Sequence, residues 1–146
     1  MEPSPLAAAG VWFYSLCTKR YLYLMRRDSR HAMTWGLPGG KIMPGESILG
    51  ALERECNEEM GNGLTLNKIY PVERFTSPDN RFTYHTFVCA VDKEFAPELN
   101  HEHHGYAWID HGVWPRPMHP GLWSTVNIKD VMTKVEVLRE SIHISQ

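Results

Sequence analysis

Apolar and polar residues alternate along several stretches of the chain, and this two-residue period predicts β-strands. Residues 8–17 are rich in strand-forming side chains, and residues 20–27 alternate between two faces, so we expect a hairpin that turns at residues 18–20. Residues 81–91 give the clearest strand, and their apolar content predicts burial on both faces for much of the length. Two further strand candidates are residues 64–75 and residues 106–109.

The longer period of an amphipathic helix occurs twice. Residues 47–60 carry it and are followed by Gly61, which predicts a helix of about three to four turns with a C-terminal stop. Near the end of the chain, Asn127 is the expected N-cap of a final helix whose apolar stripe packs in the core. The stripes are Ile48, Leu49, Leu52, Cys56 and Met60 in the first helix, and Ile128, Val131, Met132, Val135, Leu138 and Ile142 in the second.

The remaining segments are polar or rich in proline. Residues 28–33, 77–80 and 92–104 are expected to be loops, and the prolines of residues 114–123 predict an irregular but constrained segment. Strands that flank two helices predict an α+β fold, with a mixed β-sheet sandwiched between helical layers (α/β/α). Because the chain has 146 residues, 42% of them hydrophobic, we expect a single domain over residues 1–146.

Charge and cysteine content narrow the classes of partner. A net charge of −2 gives no basic field for a nucleic acid polymer, so local cations and metal would have to bind a small anionic substrate. Cys17, Cys56 and Cys89 are scattered in apolar patterns, which predicts buried free thiols in a reducing compartment. The apolar run at residues 6–17 is too short to span a bilayer, so we expect a cytoplasmic protein without a membrane partner. A homodimer stays open as an alternative.

Three carboxylates share one face of the first predicted helix. Glu55, Glu58 and Glu59 stand at positions i, i+3 and i+4, where like charges repel each other and acids near the C-terminus oppose the helix dipole. One interpretation is a solvated charged face, which is the usual meaning of such a run. The other is a divalent cation that needs several carboxylates at once, and an all-oxygen set suits Mg²⁺ or Mn²⁺ better than zinc.

The residues around these glutamates favour the second interpretation. Their spacing is G-x5-E-x7-R-E-x2-E-E-x-G, and the stretch WGLPGGK precedes it. Seven fixed positions, each at about 6–7%, should match by chance in fewer than roughly one chain in a million of this length. The pattern resembles the Nudix box, and Asn62, where the family usually has an aliphatic residue, is its one departure. The seven positions are Gly40, Glu46, Arg54, Glu55, Glu58, Glu59 and Gly61.

The resemblance implies the α/β/α Nudix fold and a metal-dependent hydrolase. Nudix enzymes cleave a phosphoanhydride bond in a nucleoside diphosphate linked to a group X, which here would be a nucleoside triphosphate or a dinucleoside polyphosphate. The three box glutamates and the backbone carbonyl of Gly40 would be ligands of Mg²⁺ or Mn²⁺. Arg54 would point away from these ligands and pair with Glu46, so that both residues support the loop rather than take part in the chemistry.

A second acidic site is expected outside the box, in the histidine-rich residues 101–108. Without a nearby cysteine or a helical His spacing, a zinc site is disfavoured, and surface histidines are the ordinary interpretation. The segment also resembles the E-H-x-x-Y-x-W stretch of dinucleoside tetraphosphate hydrolases. GDP-mannose hydrolases have a related segment. That resemblance implies that Glu102 ligates metal and that His103 acts as a base, for which an ordinary imidazole pKa is suitable.

Substrate contacts can be proposed by position, and each has an ordinary structural alternative. Gly39 leaves room for a phosphate, while Arg27 and Lys41 are candidate phosphate contacts that could equally be solvated surface cations. The base would need an aromatic platform, although most aromatic residues serve the core. Two other functions stay open: a nucleotide-sugar hydrolase with His103 as base, and a Nudix module that senses a nucleotide without cleaving it. The candidate aromatic residues are Trp35, Phe75 and Tyr84, with Trp12, Trp114 and Trp123 able to line or close a pocket.

Overall fold

The computed structural model describes residues 5–27 and 30–145, so the first two residues of the predicted loop at 28–33 lie outside the described part. Within that part, one mixed sheet carries helices on both faces, which confirms the predicted α+β fold. The strands are β1 (Leu6–Ser15), β2 (Arg20–Arg26), β3 (Trp35–Gly36), β4 (Gly39–Lys41), β5 (Lys68–Thr76), β6 (Phe82–Val91) and β7 (His103–Asp110). The helices are α1 (Ile48–Met60), α2 (Pro120–Val126) and α3 (Lys129–Ile144).

Strand β1 lies in the middle of the sheet, whose order is β3-β2-β1-β6-β5. It pairs in parallel with β6 along all 10 of its residues. Two strands share its other edge: β2 pairs with it at Tyr14↔Tyr21, and β4 pairs with its N-terminal half at Gly10↔Gly39. The predicted hairpin therefore forms next to its turn, after which β2 leaves β1 and continues its ladder with β7.

The two faces of β1 enter two separate hydrophobic clusters, one under each helical layer. Trp12 and Tyr14 belong to the cluster that contains Val131 and the rest of the buried stripe of α3. Val11 and Phe13 belong to the cluster that contains the buried residues of α1. Because both faces are covered, β1 reads as a nearly continuous apolar run rather than a strict alternation.

Helix α1 begins and ends where the sequence predicts. The Ser47 side chain accepts a hydrogen bond from the N–H of Gly50 at 3.0 Å, and Gly61 ends the helix with a φ of 101°. One member of the predicted stripe is misplaced, because Leu49 is 45% exposed while Leu52 is fully buried. Ile48 in the same turn is half-buried against the cluster under α1, so Leu49 is on the solvent side of the helix.

The segment before the last helix is more regular than predicted. Pro120–Val126 forms helix α2, which begins at a proline because the first helical turn does not need that residue's missing N–H. The His119 side chain caps α2 by accepting a hydrogen bond from the N–H of Gly121 at 3.0 Å. The predicted irregular segment is therefore wrong for its C-terminal part.

The predicted N-cap of the last helix is also wrong. Asn127 ends α2 instead, and its side-chain amide donates to the carbonyl of Trp123 at 2.6 Å. Helix α3 follows Ile128, which makes no side-chain capping bond and is 43% exposed, so it does not extend the buried stripe. Asn127 therefore marks a helix boundary, but it lies at the C-terminal end of α2 rather than at the N-terminal end of α3.

Burial along β6 and at the cysteines agrees in part with the predictions. Strand β6 is buried on both faces only towards its C-terminal end, while Phe82 at its start is 36% exposed. Cys56 and Cys89 are buried free thiols, as predicted, whereas Cys17 is exposed because it lies in the turn after β1.

No helix among the described residues is long and apolar enough to cross a membrane.

The contrast between two leucines of α1 gives a test of this packing. We expect Leu52→Ala to lower the free energy of unfolding by about 2–5 kcal/mol, because it leaves a cavity between α1 and the sheet. Leu49→Ala, on the exposed first turn of the same helix, should change it by no more than about 0.5 kcal/mol. Urea unfolding monitored by circular dichroism measures both values. Equal losses from the two substitutions would contradict the placement of α1.

Candidate active site

The three box carboxylates of α1 differ in how much of each side chain is exposed to solvent. The Glu58 side chain is 56% exposed, the Glu55 side chain is 15% exposed, and Glu59 is buried within the structure at 3% exposure. The face that they share is therefore only partly a solvated face. It turns from solvent towards β4 and the segment that leads into β7.

Glu59 is the buried member, and it is tied to the glycine turn. Its Oε1 atom accepts a hydrogen bond from the backbone N–H of Gly39 at 2.8 Å. Burial, together with the negative charges of Glu55 and Glu102, raises the pKa of the Glu59 carboxyl well above its ordinary value of 4.5, although the Gly39 bond acts in the opposite direction. A cation placed among these carboxylates would relieve the cost of the charged form.

Two glycines allow β4 to approach both β1 and α1. Gly39 has a φ of 144°, and a Cβ there would overlap the carbonyl of Ala9 on the neighbouring strand. A Cβ on Gly40 would lie 2.5–2.9 Å from the carboxyl atoms of Glu55, so that carboxyl rests directly on the glycine backbone. The lack of side chains is therefore required by the packing as well as by any approach of a phosphate.

Arg54 and Glu46 form the ion pair that the sequence predicts. The Arg54 guanidinium donates from Nε and Nη2 to the two carboxylate oxygens of Glu46, at 2.8 and 2.9 Å. These bonds, with a further one from the N–H of Met43, lower the pKa of Glu46 to about 2. A bond from Nη2 to the carbonyl of Lys41, at 3.1 Å, joins the same guanidinium to the end of β4.

Arg54 does not point away from the predicted ligands, as we expected it to. Its Nη1 atom donates to Glu55 Oε1 at 2.9 Å and lies 3.5 Å from Glu58 Oε1. The long side chain reaches across the helix surface, so a residue that starts on another part of the surface ends among the carboxylates. Burial raises the pKa of Glu55, and the bond from Arg54 opposes this rise.

Glu102 and His103 approach the buried end of the box from β7. One ligand atom from each of Glu59, Glu102 and His103 lies within 4.8 Å of the other two. His103 Nε2 is 3.7 Å from Glu59 Oε2, and Glu102 is exposed to solvent. Glu59 and Glu102 are 43 positions apart in the sequence, so the fold brings them together. The resemblance of the segment at residues 101–108 implied such a position near the box for Glu102 and His103.

An irregularity in β7 accompanies this meeting. Met25 is paired with Gly105, and the next residue of β2, Arg26, is paired with His103, so His104 is an extra residue in the ladder. Such a bulge interrupts the alternation of the strand and redirects the side chains beyond it. The bulge was not predicted, and β7 begins at His103 rather than at residue 106.

The other histidines of this segment agree with the ordinary surface interpretation. His101 and His104 are exposed, and neither belongs to the group that could hold a metal among the described residues. Among the described residues, the group that could hold a metal contains the carboxylates of Glu59 and Glu102 and the imidazole of His103, and Glu55 and Glu58 lie on α1 outside this group. Carboxylate oxygens are ligands that suit a hard divalent cation.

The two predicted phosphate contacts are both exposed cations. Lys41 is exposed at the end of β4, and Arg27 is exposed just after β2, where its backbone N–H donates to the carbonyl of Glu102 at 2.9 Å. Arg26 was not selected from the sequence, yet its charge acts on both Glu59 and Tyr84. The alternation along β2 could have identified Arg26, because Arg26 is on the same face of the strand as Leu22 and Leu24, which pack in the cluster under α1.

The predicted aromatic platform is divided over two regions. Tyr84 and Phe75 are neighbours on β6 and β5, with Phe75 47% exposed and the Tyr84 ring packed against Gly10. Burial raises the pKa of Tyr84 above its ordinary value. Trp35 lies on β3, where it packs against the cluster under α2 and α3.

The three remaining tryptophans differ in their access to solvent. Trp12 is buried in the core, and Trp114 is half-buried beside it, lining a small cavity. Trp123 is 46% exposed and borders an open groove of about 500 Å³ with Arg116, Pro117 and Met118. Of the three, Trp123 has the surface exposure that contact with a ligand requires.

Known proteins resemble this chain in sequence and in fold. The family model of the NUDIX domain matches residues 5–126. Nucleoside triphosphatase NudI from Escherichia coli O17:K52:H18 is 35% identical over 102 residues, which cover 61% of this chain and 72% of that protein.

Solved structures share the architecture at lower sequence identity. A MutT NUDIX hydrolase from Burkholderia pseudomallei has a TM-score of 0.72 at 20% identity, covering 91% of this chain and 99% of that one. The Escherichia coli dihydroneopterin triphosphate pyrophosphohydrolase has a TM-score of 0.57 at 24% identity, covering 74% and 84%. These two similarities concern the fold. Together with the family model and the NudI relative, they lead to one conclusion: the chain belongs to the NUDIX domain family and is a Nudix hydrolase.

Proposed function

We propose that this hydrolase cleaves a phosphoanhydride bond of a nucleoside triphosphate in a reaction that requires Mg²⁺ or Mn²⁺. The observation that carries the proposal is the meeting of Glu59, Glu102 and His103 within 4.8 Å beside the Gly39 turn. The 35% identical relative is a nucleoside triphosphatase, which supports a triphosphate substrate. Dinucleoside polyphosphates contain the same kind of bond and are the second substrate class to test.

The metal would be held by the box and by β7. Glu55, Glu58, Glu59 and Glu102 would supply carboxylate oxygens, and the carbonyl of Gly40 would add a backbone oxygen. When bound, the cation would neutralise phosphate oxygens and activate the attacking water. The Arg54 guanidinium, at 2.9 Å from Glu55 Oε1, holds one of these carboxylates in place and ties it to the Glu46 loop.

The chain's own groups would bind and orient the substrate. The exposed cations Arg27 and Lys41 would attract the phosphates towards the turn of Gly39 and Gly40. His103 Nε2, at 3.7 Å from the Glu59 carboxylate, is in a position to accept a proton from water as the proposed base. Trp35, Phe75 and Tyr84 are the proposed contacts for the nucleoside.

We also propose that residues 1–146 form one domain that acts on small nucleotides. The described strands share one sheet, and α1 and α3 each pack on a face of it, which supports this organisation. A nucleotide-sugar substrate remains the alternative that His103 near the carboxylates would favour. That alternative predicts a product that carries free sugar.

The first test is turnover of a substrate panel by the wild-type protein and by Glu59→Gln. We expect EDTA-sensitive cleavage of nucleoside triphosphates with Mg²⁺ or Mn²⁺, and kcat lower by about 100-fold or more in the variant, because a buried ligand carboxylate is lost. Release of phosphate and nucleotide is measured for triphosphates, dinucleoside polyphosphates, ADP-ribose and nucleotide sugars. Circular dichroism establishes that the variant is folded.

Each outcome of the panel has a separate meaning. Unchanged turnover by a folded Glu59→Gln variant would overturn the catalytic assignment. Turnover confined to nucleotide sugars would replace the substrate class, and release of free sugar rather than sugar phosphate would also replace the scissile bond, because free sugar arises only when the bond between sugar and phosphate is broken. Tight metal-dependent nucleotide binding without any cleavage would favour a sensing module instead.

Removal of the exposed ligand should act mainly on the metal requirement. In Glu102→Gln we expect the Mg²⁺ concentration for half-maximal activity to rise by more than about tenfold. Loss of an outer-shell partner of a metal site already costs about tenfold, and loss of a direct ligand should cost more. The measurement is a titration of initial rate with Mg²⁺ at saturating substrate. A titration curve that coincides with the wild-type curve would remove Glu102 from the ligand set.

The buried carboxylate should also reduce the stability of the metal-free protein. Glu59→Gln keeps an oxygen that can accept the Gly39 N–H but removes the buried charge, so in EDTA at pH 8 we expect Tm to rise by a few degrees, at about 2–4 °C per kcal/mol. Glu58→Gln removes an exposed charge from the same helix and should shift Tm by no more than about 1–2 °C. Differential scanning calorimetry measures both, and a lower Tm in Glu59→Gln would contradict the cost that we assign to this charge.

A further inference from the structure

We propose that Asn100 is a positioning residue that fixes Glu102 and His103 relative to Glu59 and so determines the affinity of the site for a divalent cation. The inference rests on the proposed function, because it takes Glu59 and Glu102 as metal ligands. Asn100 lies outside the Nudix box and was assigned only to a loop in the sequence. Its importance follows from contacts that join it to all three members of the cluster.

Asn100 makes one hydrogen bond to the backbone of each of the three residues. Its side-chain Oδ1 accepts from the N–H of Glu102 at 3.0 Å. Its own N–H donates to the carbonyl of Glu59 at 3.3 Å, and its carbonyl accepts from the N–H of His103 at 3.4 Å. A single residue therefore links the helix that carries the buried carboxyl with Glu102 and with His103, the first residue of β7.

The bonds to α1 align the loop with one particular turn of the helix. The last four carbonyls of a helix have no partner within it, and those of Glu59 and Met60 are among them. They accept from the N–H groups of Asn100 and Glu98, the latter at 2.9 Å. The loop therefore completes the C-terminal end of the helix, and its position is fixed on the turn that bears Glu59.

Glu102 depends on these backbone bonds because burial does not hold it. Glu102 is exposed to solvent, while the side chains of Glu59 and His103 are buried. Its backbone is held from two directions, by Asn100 Oδ1 at its N–H and by the N–H of Arg27 at its carbonyl, at 2.9 Å. Holding a ligand in place before the cation binds lowers the entropic cost of binding.

The residue type at position 100 suits this task. The short side chain of Asn or Asp places an oxygen at hydrogen-bonding distance from the N–H two residues later. Gln carries the same amide one methylene further out, and Ala has no acceptor. Asp preserves the acceptor, so the effects of the three substitutions separate the hydrogen bond from the presence of a polar side chain.

A loop that is merely stabilised by Asn100 is the competing explanation, and a second asparagine provides its control. Asn57 is on α1, where its side chain donates to the carbonyls of Glu53 and Leu64 and accepts from the N–H of Leu64, at 2.8–3.2 Å. These bonds hold the segment after α1 but contact none of the three cluster residues. Asn57→Ala should therefore lower Tm without changing the affinity for the cation.

The decisive measurement is Mn²⁺ binding in the absence of nucleotide, by titration calorimetry or by the EPR signal of free Mn²⁺. We expect Asn100→Ala to weaken Mn²⁺ binding by about tenfold, while Asn100→Asp stays within about threefold of wild type or binds more tightly. Asn100→Gln should weaken binding as Ala does, and it decides the matter if the Ala variant does not fold. Asn57→Ala should bind Mn²⁺ like the wild-type protein.

Steady-state kinetics provide the second readout. If Asn100 acts through the ligand rather than on the substrate, Asn100→Ala should raise the half-saturating Mg²⁺ concentration about tenfold and leave kcat at saturating Mg²⁺ within about threefold. A loss confined to kcat, with an unchanged metal requirement, would overturn the positioning role.

The controls distinguish failure of this inference from failure of the proposed function. Wild-type Mn²⁺ affinity in Asn100→Ala or Asn100→Gln, with weakened binding in Glu102→Gln, would overturn the role of Asn100 alone. Equal weakening in Asn57→Ala and Asn100→Ala would also overturn it, because loop stability would then explain both. Wild-type affinity in both Glu59→Gln and Glu102→Gln would overturn the metal site and, with it, this inference.

Discussion

The site depends on one buried ionisable group, the carboxyl of Glu59. Such a group is costly to enclose, and the chain offsets the cost locally with the Gly39 N–H at 2.8 Å and the nearby charge of Arg26. The bond brings β4 directly against α1, where a Cβ at position 40 would overlap the Glu55 carboxyl, while a Cβ at position 39 would overlap the backbone of β1. The glycine turn and the Glu59 carboxyl therefore depend on each other, and the apolar residues of α1 keep the helix in the core.

Backbone groups do most of the positioning around this charge. The glycine turn meets α1 through the Gly39 N–H, and the loop before β7 meets the C-terminal end of α1 through the N–H groups of Glu98 and Asn100. Side chains vary more in exposure, from the enclosed His103 to the solvent-facing Glu58. This arrangement combines an enclosed centre with an accessible rim, which suits a site that must both hold a cation and admit a charged substrate.

The sequence predicts the local parts of this site and much less of the long-range ones. The box and its helix follow from spacing, and the Glu46–Arg54 pair follows from the family resemblance that the box carries, because each depends on residues close together in the chain. The bulge at His104, the bond from Asn100 and the approach of Arg26 depend on how β2 and β7 pair, and periodicity does not carry that information. The β2 hairpin was predicted from its turn, but the parallel ladder of β1 with β6 joins segments that are about 75 residues apart. Asn127 shows the same limit at a helix end, where a correct boundary signal leaves open which helix it caps.

The position of Arg54 among the carboxylates has a consequence for how the protein is made. Its guanidinium places a permanent positive charge beside Glu46, Glu55 and Glu58. Small domains whose ligands are uncompensated fold only when the metal arrives. Here part of the repulsion is already balanced by a residue of the same helix, so we expect the box helix to form in a newly synthesised chain before a cation binds. The ion would then complete the site around Glu59, whose carboxyl is costly to bury in the metal-free protein.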